Sequence, residues 1–292
     1  MTELDAAVER VWPGRNLRYE VLGGGITNRN ALVVVDGDAV VLRIAGKDTA
    51  LLGIDRRVEL EATRAAATLG IGPEVVDFVE PEGWLVTRFV EGRTLSPEEL
   101  RDPRGLERVA LALRRFHESA PIAGAFDSFR VVEAYRDTTL ARGGRVPPEF
   151  ERAHAIAARI EDARAGARTV PCHNDLLSAN FLVDGERLVI VDWEYAGMGD
   201  AFFDLANFAV NHELGPAERA DFLAFYRSGT PSEEDARALE LMRFMSDFRE
   251  AMWGVVQTAV SELEFDFAVY AAEHFERLER IAAEPEFAGA LG

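Results

Sequence analysis

Four polar residues in one short stretch, His173, Asp175, Asn180 and Asp192, have the types and spacing that phosphoryl transfer requires. That reaction needs a carboxylate to receive the proton of an attacking hydroxyl. It also needs an Asn and a second Asp to hold Mg²⁺ on nucleotide phosphates. The chain between them suggests how they meet. Residues 181–183 and 188–191 are short apolar runs joined by Asp184-Gly185, a dipeptide that accepts the positive φ of a tight hairpin turn. The hairpin carries Asn180 into its first strand and Asp192 out of its second, with Asp175 nearby. A plain hairpin with polar ends is the bland alternative.

The elements needed to position these groups can be read on either side. Upstream, residues 1–12 read as a short helix, followed by strands at 17–22, 31–35 and 40–44 and a helix at 55–69. Asp55 is placed to cap that helix and Gly70 to end it. Two more strands, 73–78 and 84–90, flank Pro81-Glu82-Gly83. Downstream of Gly92 the pattern turns to helices at 97–100, 105–119, 148–165, 217–226, 233–261 and 267–283, with the hairpin as the only clear strand material. Asp204 begins a further helix and reads as a cap or a brace for the catalytic loop. This is an α+β outline of a β-rich N-lobe, residues 1–91, and a larger helical C-lobe, residues 92–292, meeting near 89–93.

Within the first lobe, Gly23-Gly24-Gly25-Ile26-Thr27-Asn28 lies between two strands and lacks the Gly-Lys-Ser/Thr and following helix of a P-loop. A glycine-rich β-turn closing over phosphates suits it better, since backbone N–H groups can approach the ligand. An ordinary hairpin turn is the alternative. In the third strand, alternation sets Val41, Arg43 and Ala45 on one face. Arg43 therefore reaches toward a cleft, with a fixed charge suited to phosphate oxygens. Glu59 and Glu61 on the following helix compete as its ion-pair partner and point about 200° apart, so one can serve. Lys47, the only lysine, reads as a surface residue.

Near the C-terminus, Glu250, Trp253 and Gln257 share one helical face. A carboxylate beside an indole suits an ammonium group, by charge and by cation–π attraction. A core Trp beside a solvated Glu is the bland reading.

A chain of 292 residues with a 48% hydrophobic fraction can bury a sizeable core, and no apolar run is long enough for a membrane helix. The acidic start lacks a signal-peptide pattern, and the single cysteine, Cys172, fits a reducing cytoplasm. A net charge of −19 argues against nucleic acid or an anionic membrane as partner. It is compatible with a small cationic substrate.

The five-residue step from Asp175 to Asn180 matches the protein-kinase catalytic loop. Yet His173-Asn174-Asp175 and Asp192-Trp193-Glu194 differ from the protein-kinase triplets and point to small-molecule kinases of the same fold. Further matching blocks are Gly24-Gly25-Ile26-Thr27-Asn28, Val41-Leu42-Arg43-Ile44, Ile54-Asp55-Arg56 with Glu59, and Gly70-Ile71-Gly72-Pro73. Phe203-Asp204-Leu205-Ala206-Asn207 and the segment from Trp253 to Tyr270 complete them. On these blocks the chain resembles the choline/ethanolamine kinase group of the aminoglycoside-phosphotransferase-like superfamily, with its protein-kinase-like bilobal fold.

The resemblance implies ATP and Mg²⁺ as cofactors, Asp175 as catalytic base, and Asn180 and Asp192 as metal ligands. It implies a nucleotide site of Gly24, Gly25, Thr27, Asn28, Arg43 and Glu59, with Arg43 paired to Glu59. The acceptor residues expected are Glu194, Glu250, Trp253, Gln257 and Tyr270, with Trp253 and Tyr270 in an aromatic cage. Choline kinases tend to carry another Trp where this chain has Glu250. That exchange suits a smaller or less alkylated amine, such as ethanolamine. A thiamine or aminoglycoside kinase of the same fold is the nearer alternative, and a catalytically idle nucleotide-binding module the farther one.

Overall fold

The computed structural model describes residues 2–23 and 28–292; the expected nucleotide residues Gly24, Gly25 and Thr27 lie outside them. The chain begins with helix α1 (Glu3–Val11), whose Thr2 cap and Asp5 form a reciprocal capping box. Strands β1 (Arg18–Leu22), β2 (Arg29–Val35) and β3 (Asp38–Ile44) follow, then helix α2 (Arg56–Thr68) and strands β4 (Val75–Val79) and β5 (Trp84–Arg88). The five strands form one antiparallel sheet in the order β1-β2-β3-β5-β4. Asp36 and Gly37, both at positive φ, make the two-residue turn that sets the β2–β3 register. Arg43 consequently sits mid-sheet, opposite Asn30 on one side and Leu85 on the other.

The remainder is mainly helical. It runs β6 (Arg93–Thr94), α3 (Pro97–Arg101), α4 (Pro103–His117), α5 (Ser128–Ala141), α6 (Glu149–Ala163), β7 (Thr169–Cys172), β8 (Phe181–Asp184) and β9 (Arg187–Ile190). Then come β10 (Gly197–Asp200), α7 (Ala201–Asn211), α8 (Pro216–Arg227), α9 (Glu233–Val260), α10 (Phe267–Ala282) and α11 (Pro285–Leu291). The β-rich start and helical continuation agree with the α+β outline. Three readings need correction. Helix α5 was not anticipated. The hairpin is not the only strand material here, because β6 pairs with β8 and β7 pairs with β10. The hairpin turn is Gly185-Glu186, since Asp184 still pairs with Arg187.

Helix α2 links the two regions. Asp55 caps it by accepting the N–H groups of Arg57 and Val58, and Gly70 leaves it at φ 71°. Its Ala62 and Ala66 are buried in the large core shared with the C-terminal helices, while β2 and β3 have their own smaller core around Val33 and Leu42. Beyond the helix, Ile71 O accepts from Ile190 N–H at 2.7 Å. The Arg187 guanidinium donates to Gly70 O and Gly72 O at 3.1 and 2.9 Å. The helix is thus docked on the very hairpin that carries Asp192.

Candidate active site

The loop after β7 is held by α7. Asp204, fully buried, accepts the N–H groups of His173 and Asn174 at 2.8 and 2.7 Å. One turn on, Asn207 accepts Leu176 N–H at 2.6 Å. Residues three apart lie on one helix face, so α7 grips the loop at two points. His117 Nε2 also bonds Asp204 at 3.0 Å, with its Nδ1 against Tyr226 OH at 2.9 Å. His117, Cys172 and Asp204 bring potential ligand atoms close together, but these hydrogen bonds already occupy Asp204 as a brace. Asn174 takes the left-handed conformation that Asn tolerates, φ 68°.

Asp175 N–H donates to His173 Nδ1 at 3.2 Å, and His173 Nε2 donates to Val191 O at 3.0 Å. Burial lowers the His173 pKa, in keeping with a neutral ring protonated on Nε2. Asn180 ends a short 3-10 turn instead of entering the strand. It donates from Nδ2 to Asp175 O at 2.8 Å, and its own O accepts Val191 N–H at 3.0 Å. Asp175, Asn180 and Asp192 are therefore tied into one small region. Asp192, at φ 66°, turns the chain out of the hairpin.

The strand-rich region meets this loop through a buried ion-pair network. Arg43 Nη1 lies 2.9 Å from Glu59 Oε1, and Nη2 bonds Asp192 and lies 3.1 Å from Glu194 Oε2. Arg56 Nη1 bonds Glu59 Oε2 at 2.7 Å and Glu194 Oε2 at 3.1 Å, and Arg56 Nη2 donates to Asn28 at 3.1 Å. Asn28 in turn donates to Glu194 at 2.9 Å. The choice between Glu59 and Glu61 is resolved by geometry, because Glu61 accepts Ala123 N–H elsewhere. Glu194, expected with the acceptor residues, is placed with Arg43, Arg56 and Asn28. Lys47 is exposed and 3.6 Å from Glu262.

On the far side of Asp175 stands α9. Glu250, Trp253 and Gln257 are all buried. Tyr270 OH donates to Glu250 Oε2 at 2.9 Å, and Trp253 Nε1 donates to Tyr195 OH at 2.9 Å. The Trp253 ring meets those of Tyr270 and Phe267 edge-on at 5.5 and 5.7 Å. Gly254 permits this approach: a Cβ there would come within 3.0 Å of Tyr270 and Ala271 on α10. Sequence reasoning missed Arg249. It is ion-paired with Glu250, lies 3.6 Å from Asp175 Oδ1, and stacks 4.3 Å from the Tyr195 ring centre.

Burial pushes the Asp175 carboxyl well above the usual range. Arg249 opposes that shift, and the Glu250, Asp192 and Glu194 carboxylates add to it. Burial would likewise raise Glu250, but Arg249 and the Tyr270 hydroxyl help hold it below its ordinary value. A buried carboxylate with a raised pKa, set among aromatic and charged groups, can accept a proton from a bound hydroxyl.

Among the described residues, no helix is long and apolar enough to cross a membrane. Residues 18–241 match the model of the phosphotransferase enzyme family. Over 205 residues the chain is 31% identical to Protein LicA of Haemophilus influenzae, covering 68% of this chain and 60% of that protein's length. Ethanolamine kinase 2 of Mus musculus is 27% identical over 90% of this chain and 76% of its own. A choline/ethanolamine kinase family protein from Mesorhizobium loti superposes with a TM-score of 0.84. It is 29% identical over all of this chain and 98% of that one. The chain belongs to the phosphotransferase enzyme family, is similar within it to choline/ethanolamine kinases, and is a phosphotransferase with an alcohol group as acceptor and a protein-kinase-like fold.

Proposed function

We propose that this enzyme transfers the γ-phosphoryl group of ATP to the hydroxyl of a small amino alcohol such as choline or ethanolamine. The observation that carries this reading is the placement of Asp175. It lies between the Arg43–Asp192 network on one side and the Glu250–Trp253–Tyr270 group, reached through Arg249, on the other. Asp175 takes the acceptor proton as the hydroxyl oxygen attacks the γ-phosphorus. The bond to the β-phosphate oxygen breaks, leaving ADP and a phosphate monoester. Its raised pKa makes it a stronger base than a surface aspartate.

Residues 1–91 and 92–292 act as two lobes with the nucleotide between them. Arg43, carried by β3 and backed by Glu59, presents a permanent positive charge to phosphate oxygens. Asn180 and Asp192 suit magnesium. The Asn180 amide nitrogen is engaged by Asp175 O, which leaves the amide oxygen as the ligating end. Asp192 is 28% exposed, against 3% or less for Glu59 and Glu194. Bound there, the metal offsets phosphate charge. Glu250, Tyr270 and Trp253 orient the ammonium, and a lone buried cysteine accords with a cytoplasmic enzyme.

The test is coupled ADP release with Mg-ATP and, separately, choline, ethanolamine, thiamine and kanamycin. Turnover with an amino alcohol supports the reading. Turnover with thiamine or kanamycin alone moves the acceptor elsewhere, and nucleotide binding without turnover of any acceptor, carboxylated amino alcohols included, indicates an idle module.

A further inference from the structure

Arg249 stands where a purely cationic acceptor would least tolerate a positive charge. It is 1% exposed, pairs with Glu250 through Nη1, and lies 3.6 Å from the carboxylate of Asp175. Glu250 and Asp175 together outnumber this one cation, so the cluster still attracts an ammonium while Arg249 adds a fixed positive charge beside it. Arg249 Nε and Nη2 are also buried, with no hydrogen-bond partner among the described residues. These two N–H groups form one edge of the guanidinium and point the same way. That edge is the fork that receives a carboxylate with two parallel hydrogen bonds. A guanidinium cannot shed its proton, and leaving such donors unmet is unfavourable, so an anionic acceptor on a ligand is strongly preferred there.

We propose that the acceptor is zwitterionic: a compact hydroxyl compound carrying both an ammonium and a carboxylate. The carboxylate docks on the Nε–Nη2 edge of Arg249, the ammonium on Glu250 and Tyr270, and the hydroxyl on Asp175. This rests on the amino-alcohol kinase reading and narrows it. A substrate bearing both signs satisfies Arg249 and Glu250 together, whereas a bare amine leaves the fork unmet.

The test compares matched acceptors that differ only by a carboxylate, L-serine against ethanolamine and L-homoserine against 3-aminopropan-1-ol, in ADP release by the unaltered enzyme with Mg-ATP. The expected result is that the carboxylated member of at least one pair is preferred by tenfold or more in kcat/KM. Arg249→Met should erase that preference. The double variant R249M/E250M, which removes both buried charges together, serves if the single variant does not fold, and should erase it too. A purely structural arginine would lower both members of a pair alike. Preference for the bare amine in both pairs, equal rates within them, or turnover of choline alone overturns the zwitterion and leaves the amino-alcohol kinase standing. No turnover of any of these acceptors, with Mg-ATP still bound, overturns both.

Discussion

Replacing Asp204 by Asn tests whether the catalytic loop is held from behind by α7. The carboxylate accepts two backbone N–H groups, from His173 at 2.8 Å and Asn174 at 2.7 Å, and also meets His117 Nε2. An amide keeps one acceptor oxygen and turns an NH₂ toward the other backbone N–H, so donor faces donor in a site with no solvent exposure. Hydrogen bonds to a charged group are worth about 1.5–3 kcal/mol, and an unmet buried donor costs about 1–3 kcal/mol. A net loss of roughly 2–4 kcal/mol is therefore expected, which lowers Tm by about 3–7 °C in a chain of this size. Because Asp175 is one residue beyond the released N–H, kcat should fall about 100-fold. Urea unfolding and steady-state ADP release measure the two effects. A stability change under about 0.5 kcal/mol together with an unchanged kcat would refute the brace.

Asp175→Ala should reduce kcat by about 10²–10⁴-fold while leaving Mg-ATP affinity within a few-fold by calorimetry; equal loss of both contradicts a base. Glu250→Ala strands Arg249 as a buried charge and should cost about 3–5 kcal/mol in denaturant unfolding. R249M/E250M should recover much of that, and additive losses would show that the pair is not coupled. Burial lowers the pKa of His212 to about 4, and its Nε2 has no partner among the described residues. The unfolded chain takes up that proton near pH 6.5, so stability holds above that value and falls between pH 6.5 and 4, by roughly 3 kcal/mol. His212→Gln should flatten that part of the stability profile, and an unchanged profile rules His212 out.

The parts of the fold legible in the sequence were those with strong local signals. The apolar runs on either side of Asp184-Gly185 marked one hairpin, and Asp55 and Gly70 bracketed α2 to within a residue. Helix α5 was missed because its own pattern is weak. It carries β-branched Val131, Val132, Thr138 and Thr139, and depends on burial of Val132 and Tyr135 against the helical core. Strands β7 and β10 contain Pro171, Gly197 and Gly199, poor strand formers that pair because Gly197 and Gly199 pass close to Phe126. At the site, residues fixed by spacing along one hairpin were readable. Arg249 was not, because residues 241–257 of α9 are buried on every side and periodicity selects no face. The position of Glu194 depends on how the chain turns at Asp192, which only the ion pairs with Arg43 and Arg56 reveal.

The most direct test of phosphoryl transfer to an amino-alcohol hydroxyl is ³¹P NMR of enzyme, Mg-ATP and the acceptors named above, with Asp175→Ala as control. A phosphate-monoester resonance that grows as the γ-phosphate of ATP declines, and is absent from the control, is the predicted result. ATP consumed only to inorganic phosphate, or the same ester formed by the control, would contradict it.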